Sequence, residues 1–477
     1  MAIMSKVIYS MPPEYERQTL NDGRTVLEAA KEVPVVRDVD VIVVGGGPGG
    51  VASAVFAARN GAKTLLIERY GHLGGMATGG LVNIIPNLAN IYGEQCIGGF
   101  TQEVIDRLMA RGAAHYPPKE SWGKADKELV NKYLTAAMGH FYVRKNGDGE
   151  QIVLYTAVID PEVAKAELAD IVLDAGADIM MHTWVTAPIM EGNKVKGVFV
   201  ETKSGRQAIL GKVIIDCTGD GDLLPHVNTE TIEYMRPGSR IAQFGWIYWM
   251  CNVNLDKYDE FAKNNPEELK NIMAMIREQG GKPMFARGLL DHQKGVVWMH
   301  RLIGSLHQTD PEEMTYIDTH ARRTAVKTWE LMKAHLPGFE DSFIMKSNPQ
   351  LGTSGGLRIV GEYYITEDDM NTNEPYEDTI GVFADNDRGE LSLKYPKSFV
   401  PLRALLPKGV DNMMVACRAF SADGEFSEYF NLIPHCMCFG QAAGITAALA
   451  VRDGIQPRDV DFAEIRKLLL ESGAILP

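Results

Sequence analysis

Nowhere in the 477 residues does an uninterrupted apolar run reach about 18 residues, so the sequence predicts no membrane span. No basic block stands out either. Lys and Arg number 48 against 62 Asp and Glu, a net charge of −14, and a nucleic-acid or anionic-membrane partner is disfavoured. Cysteine is scarce. Cys96, Cys217, Cys251, Cys417, Cys436 and Cys438 are scattered through apolar or glycine-rich contexts, which reads as reduced thiols in a cytoplasmic protein. Cys436 and Cys438 form a Cys-x-Cys pair, but no second pair or histidine cluster completes a metal site, so buried core thiols and no metal are expected. The first residues, MAIMSKVIYSMPPEYERQTL, lack the apolar core of a secretory signal. No repeat and no low-complexity tract occurs. A chain of this length exceeds one small core, so two or more structural units are expected.

What is present begins at residues 39–70, VDVIVVGGGPGGVASAVFAARNGAKTLLIERY. Asp40 to Val44 form a short aliphatic run suited to a strand buried on both faces. Gly45-Gly46-Gly47-Pro48-Gly49-Gly50 contains Gly-x-Gly-x-x-Gly and leads into a small-residue helix ended by Asn60-Gly61. KTLLIE is then a second strand closed by Glu68. Gly45, Gly47 and Gly50 permit a tight turn, close approach to a pyrophosphate and close helix–strand packing. The helix N-terminus turns free N–H groups toward that anion. Glu68, about 20 residues on, is placed to accept hydrogen bonds from ribose hydroxyls. The order strand, glycine turn, helix, strand, acid predicts a dinucleotide site.

A second glycine-dense stretch follows at once, RYGHLGGMATGGLVN, with Gly71, Gly74, Gly75, Gly79 and Gly80. Here the chain resembles flavoproteins with a glutathione-reductase-type FAD domain. Within them it is most similar to the broad FAD-dependent oxidoreductase family marked by an acid-Arg-aromatic-Gly stretch and Leu-Gly-Gly-Met-Ala-Thr-Gly-Gly. Soluble fumarate reductase flavoproteins are distantly similar. The resemblance implies non-covalent FAD held by the glycine turn with Pro48, by Glu68 and Arg69, and by Gly74, Gly75 and Met76.

Two further segments carry it. From Asp160 to Asp222, DPEVAKAELADIVLDAGA reads as a helix with Asp160 at the N-cap and Pro161 at N1. Short strands follow, and VIID ends in Cys217-Thr218-Gly219-Asp220-Gly221-Asp222. In the family the strand near Trp184 and Val185 contacts the adenine and the Thr218-Gly219-Asp220 turn closes over the dinucleotide. From Phe399 to Val451, DNMMVACR resembles the family's final buried strand. After Pro434, HCMCFGQAAGITAALAV reads as a helix whose Gly440, Ala443, Gly444 and Ala447 let it lie close to the dinucleotide unit. The resemblance puts Asp423 and Met437 beside the cofactor, with the helix N-terminus aimed at the flavin pyrimidine edge.

The expected fold is therefore α/β: a Rossmann-type, glutathione-reductase-like FAD domain, discontinuous at 37–225 and 399–477. An N-terminal extension occupies 1–36, and an inserted α+β substrate domain occupies 226–398. In that insert, QFGWIYWMCNVN suits a sheet, and NPEELKNIMAMIREQGG and DPEEMTYIDTHARRTAVKTWELMKAHLPG read as capped amphipathic helices.

The chemistry is read from departures. Where many relatives carry Gly-x-Arg-Glu-Ser-Arg-Arg, this chain has LGTSGGLRIVGEYYI and keeps only Arg358, which either binds an anionic substrate group or forms a structural ion pair. Asn431 stands where relatives often have Arg. Both changes predict a wall poor in positive charge and a neutral, hydroxylated or aromatic substrate. No second strand–glycine–helix unit appears, so no NAD(P)H domain is expected. His435 is the first candidate proton carrier, ahead of Glu425, Glu428 and Tyr429. His72 invites comparison with covalent flavin attachment but does not match that spacing. The leading expectation is an FAD-dependent dehydrogenase or oxidase acting on a C–OH or C–H bond of a small molecule. The alternatives are a reductase of an activated C=C bond and an electron-transferring subunit of a larger complex. A homo-oligomer or a redox partner protein stays open.

Overall fold

Strand β1 (Val35–Val44) carries apolar side chains toward both faces, so it must lie inside a covered sheet. The computed structural model describes residues 25–136, 139–233, 239–304 and 307–477. In it, β1 pairs in parallel with β2 (Thr64–Ile67) on one side and with the strand Gly205–Asp216 on the other. Asp178–Met180 extends the parallel set beyond β2, and Met413–Val415 extends it beyond the end of Gly205–Asp216. The first residues of the expected extension, 1–24, lie outside the described residues.

Side-chain alternation sorts the core into two layers. Val41, Val43, Leu66, Val213 and Ile215 face helices. Ile42, Val44, Leu65 and Ile214 face Val195 and Val198, which belong to an antiparallel meander of Trp184–Glu191, Lys194–Thr202 and the start of Gly205–Asp216. This is a mixed α/β fold of Rossmann type.

The helices over the first layer are α1 (Pro48–Arg59), Pro161–Asp174 and Ile433–Asp453. Asp160 caps its helix by accepting from the N–H groups of Glu162 and Val163. The last helix starts at Ile433, one residue before Pro434 rather than after it, because proline fits within a first turn, where the N–H has no intrahelical partner. It is the one helix among the described residues long and apolar enough to cross a membrane. Of that stretch 89% is buried in the fold, so core packing accounts for its composition.

A second, antiparallel sheet has the order Phe285–Arg287, Val297–Gly304, Gln243–Cys251, Phe343–Ser347, with Gly352–Thr353 paired to the other end of Gln243–Cys251. Phe244, Trp246, Tyr248, Met250, Val297 and Met299 pack on one face against Ile276 of the helix Pro266–Glu278 and Ile317, Ala321 and Met332 of Pro311–His335. Asp310 caps the longer helix through the N–H groups of Glu312 and Glu313. The opposite face carries Ile247, Trp249 and Trp298 and meets Leu81, near the end of the second glycine-rich stretch.

Candidate active site

A single cavity runs from the end of β1 to the second sheet, and its two ends differ in chemistry. At the first end the chain leaves β1 through Gly45, whose φ of +99° suits only glycine without strain. A β-carbon on Gly50 would lie 1.7 Å from the Gly45 carbonyl oxygen, whereas one on Gly47 would meet nothing within 4 Å. The turn is thus packed on its inner side and open toward the cavity at Gly47, where a ligand can approach the backbone. Gly47 is also the N-cap of α1, with no side-chain cap and Pro48 at N1, so the first N–H groups of the helix remain available to an anion.

Glu68 closes this end. Its Oε2 accepts from Gly46 N–H at 2.6 Å and its Oε1 from Tyr70 N–H at 2.8 Å. Burial pushes its carboxyl up despite these bonds. Each oxygen keeps acceptor capacity for a hydroxyl. The Arg69 guanidinium lies over the rings of Tyr70 and Trp184, 5.3 and 5.1 Å from their centroids, and faces Asp222 at 3.4 Å. Gly75, Met76, Val185, Thr218 and Gly219 complete the lining here.

Five residues expected at the cofactor do not line the cavity. Gly50 packs behind the turn. Gly74, at φ +97°, donates its N–H to Gly46 O at 2.8 Å and docks the second glycine stretch onto the first. Asp220 is ion-paired with Arg418 at 2.5 Å. Asp423 caps the helix Gly424–Phe430 and also accepts from Glu367 N–H. Met437 is buried in the core, and the helix instead presents Leu432, Ile433 and Cys436 to the cavity.

None of the four expected catalytic residues, His435, Arg358, Glu425 and Tyr429, lines the cavity. His435 is fully buried, 4.3 Å from the Phe383 ring centroid and 5.7 Å from that of Phe430. Its Nδ1 accepts from Leu432 N–H at 3.1 Å. Burial pushes its imidazole down to about 3, so it caps its helix as a neutral ring. Tyr429 and Glu425 lie on the helix Gly424–Phe430, half-buried. Glu428 lies there too, and its carboxylate accepts from the backbone N–H groups of Arg240 and Ile241. Arg358 is 1% exposed, and among the described residues its guanidinium has no hydrogen-bond partner; no ion pair of the expected structural kind accompanies it.

The far end of the cavity is built from residues that sequence reasoning passed over. Arg240, His300, Gln350, Thr353, Ser354 and Arg418 line it. His300 stands opposite Ile247 in the strand register, two residues from Trp298 and hence on the sheet face turned toward the glycine-rich end. Burial pushes its imidazole down to about 4, leaving a neutral ring. The alternation of VVWMH was the available signal. For Arg240 there was none, because its neighbours come from 187 to 191 residues downstream. The expectation of a wall poor in positive charge is therefore corrected: the Asn431 Oδ1 accepts from Arg240 at 2.5 Å, so the cation arrives from another segment. Cys217, Cys417 and Cys436 also line the cavity. Burial pushes the Cys436 thiol up to about 12, which keeps it protonated and unreactive.

Residues 40–469 match the family described as FAD dependent oxidoreductase. A thiamine thiazole synthase of Methanococcus vannielii is 30% identical over 190 residues, covering 38% of this chain and 56% of its own length. A digeranylgeranylglycerophospholipid reductase of Methanoculleus marisnigri is 24% identical over 218 residues, 46% of this chain and 47% of its own. The chain spans about half the length of the curated relatives it matches. Among solved structures, p-nitrophenol 4-monooxygenase of Pseudomonas putida is 12% identical, covers 91% of this chain and 86% of its own, and has a TM-score of 0.46.

Proposed function

The chain belongs to the FAD dependent oxidoreductase family, and on that premise we propose that it transfers a hydride between FAD and a small organic substrate, at a C–OH or C–H bond. The observation that carries this reading is the continuity of one cavity from the Gly45–Gly47 turn and Glu68 to Arg240, His300 and Gln350.

FAD, when bound, supplies the two-electron chemistry. We assign its binding to Gly45, Gly47, Pro48, Glu68, Arg69, Gly75, Met76, Val185, Thr218 and Gly219. The N–H groups at the start of α1 bind the pyrophosphate, and Glu68 accepts from ribose hydroxyls. The helix beginning at Ile433 directs its positive end into the cavity. His300, a neutral imidazole on the opposite wall, holds or releases the substrate proton. The same proposal includes the Leu-Gly-Gly-Met-Ala-Thr-Gly-Gly branch, a discontinuous glutathione-reductase-like unit at 37–225 and 399–477, a substrate-facing unit at 226–398, and a cytoplasmic location. The pairing of Met413–Val415 with Gly205–Asp216 supports the discontinuous unit.

A second reading, reduction of an activated C=C bond, gains support from Arg240 and Arg418 in the lining, since cations stabilise the charge that develops on an enoate. Purified protein is expected to show flavin bands near roughly 375 and 450 nm. Under anaerobic titration, bleaching by a hydroxylated substrate supports the first reading, and reoxidation only by an enoate supports the second. A preparation that stays colourless with added FAD overturns both.

A further inference from the structure

Resting on the reading that this cavity holds FAD and substrate, we propose that the substrate carries a carboxylate and that Arg240 binds it.

The Arg240 guanidinium is held along one edge. Its Nε donates to Glu428 O at 3.1 Å, and its Nη2 donates to Ser427 O, Glu428 O and Asn431 Oδ1. All these acceptors are neutral. Asn431 is itself fixed, donating its Nδ2 to Ser354 O at 2.9 Å. The fork is thus locked by one edge, and Nη1 enters none of these bonds. A role as a C-terminal cap for the helix Gly424–Phe430 accounts for Nε and Nη2. It accounts neither for Nη1 nor for the residue's place in the cavity lining.

Charge balance points the same way. Among the described residues Arg240 forms no ion pair with a carboxylate. Glu428, whose charge favours the Arg240 cation, directs its oxygens to the backbone N–H groups of Arg240 and Ile241, at 2.6 and 3.2 Å. Arg418, also in the lining, is matched by Asp220. Arg358, buried nearby without a hydrogen-bond partner, adds positive charge. Burial, opposed by Tyr364 and Glu428 and reinforced by Arg418 and Arg240, pushes it down to about 10, so it remains protonated at neutral pH. Around this end three guanidinium groups, Arg240 and Arg418 in the lining and Arg358 outside it, thus stand against the carboxylates of Asp220 and Glu428, one positive charge in excess. A buried excess of positive charge is costly unless an anion completes it. The other lining groups at this end, His300, Gln350, Thr353 and Ser354, are neutral and do not compete for it. A planar carboxylate suits a guanidinium edge.

The test uses FAD-loaded holoprotein and follows the flavin absorbance as formate, pyruvate and benzoate are titrated against formamide, pyruvamide and benzamide. At least one acid is expected to perturb the spectrum with an affinity about tenfold or more above its amide. Arg240→Gln is expected to remove that preference, and Arg240→Lys to keep part of it. Asn431→Asp, which gives Arg240 a carboxylate of its own, is expected to weaken the acid without changing the amide, and it decides the matter if Arg240→Gln fails to fold. Equal binding of every acid and its amide, no response to any acid, or a preference that survives both the Gln and Asp variants overturns the carboxylate assignment while flavin is still bound. A wild-type protein that takes up no FAD overturns the functional reading beneath it.

Discussion

Gly440 and Gly49 meet so closely that a β-carbon on Gly440 would lie 2.1 Å from the Gly49 carbonyl oxygen. This contact joins the helix Ile433–Asp453 to the first turn of α1, and Gly444 repeats it one turn later against Ser53 O at 2.4 Å. Two segments nearly four hundred residues apart are thereby fixed with their N-termini at the same cavity.

Gly440→Ala follows from that contact. The obstacle is backbone, which cannot rotate away, so the helices must separate. A loss of about 1–3 kcal/mol is expected from overpacking, together with a lower flavin content. Denaturant unfolding and the ratio of flavin to protein absorbance check both, and an unchanged pair of values refutes the contact.

Gly47→Val separates ligand binding from folding. The backbone at Gly47 is extended, at φ −70° and ψ −175°, and open space surrounds its β-carbon position. Thermal stability of the apoprotein is expected to change by no more than about 1 kcal/mol, the scale of an N-cap replacement, while FAD uptake falls. Retention of full FAD affinity means that the ligand does not approach Gly47.

Asp222 supplies a pH test. Burial, with Asp220 and Asp216 adding to it against Arg69, pushes its carboxyl up from 3.8 to about 7. The folded protein then holds a proton that the unfolded chain releases, so this group's contribution to stability falls as pH rises from about 4 to about 7. Asp222→Asn lacks that loss. Its melting temperature is expected to gain on the wild type across this window and to keep the gain at higher pH. A difference that stays constant from pH 4 to 8 contradicts the shift.

His300→Gln tests the proton carrier. Loss of a positioned acid–base group lowers kcat by about 10² or more, while FAD content is expected to persist, because His300 lies at the end away from the glycine turn. With its imidazole pushed down to about 4, the wild-type rate is expected to stay level through pH 6 and to fall only in more acidic buffer. Steady-state rates across pH decide this, and an unaltered kcat in the variant removes His300 from the mechanism.

Much of the architecture was legible because its causes are local. The glycine turn, the caps at Asp160 and Asp310 and the alternation of Gln243–Cys251 each depend on residues within a few positions of one another, where φ/ψ limits, cap bonds and side-chain period act directly. Glu68 was legible for the same reason, since a strand–turn–helix–strand unit of fixed length brings its carboxylate back to Gly46.

The sequence by itself determined a strand–glycine turn–helix unit able to receive a dinucleotide, and a small-faced helix able to lie against it. Only the tertiary structure decided which way His435 turns, that Asp423 caps a helix, and that Arg240 and His300 reach the cavity. Those outcomes depend on contacts between segments far apart in the chain, and sequence period gives the face of an element but not what that face meets.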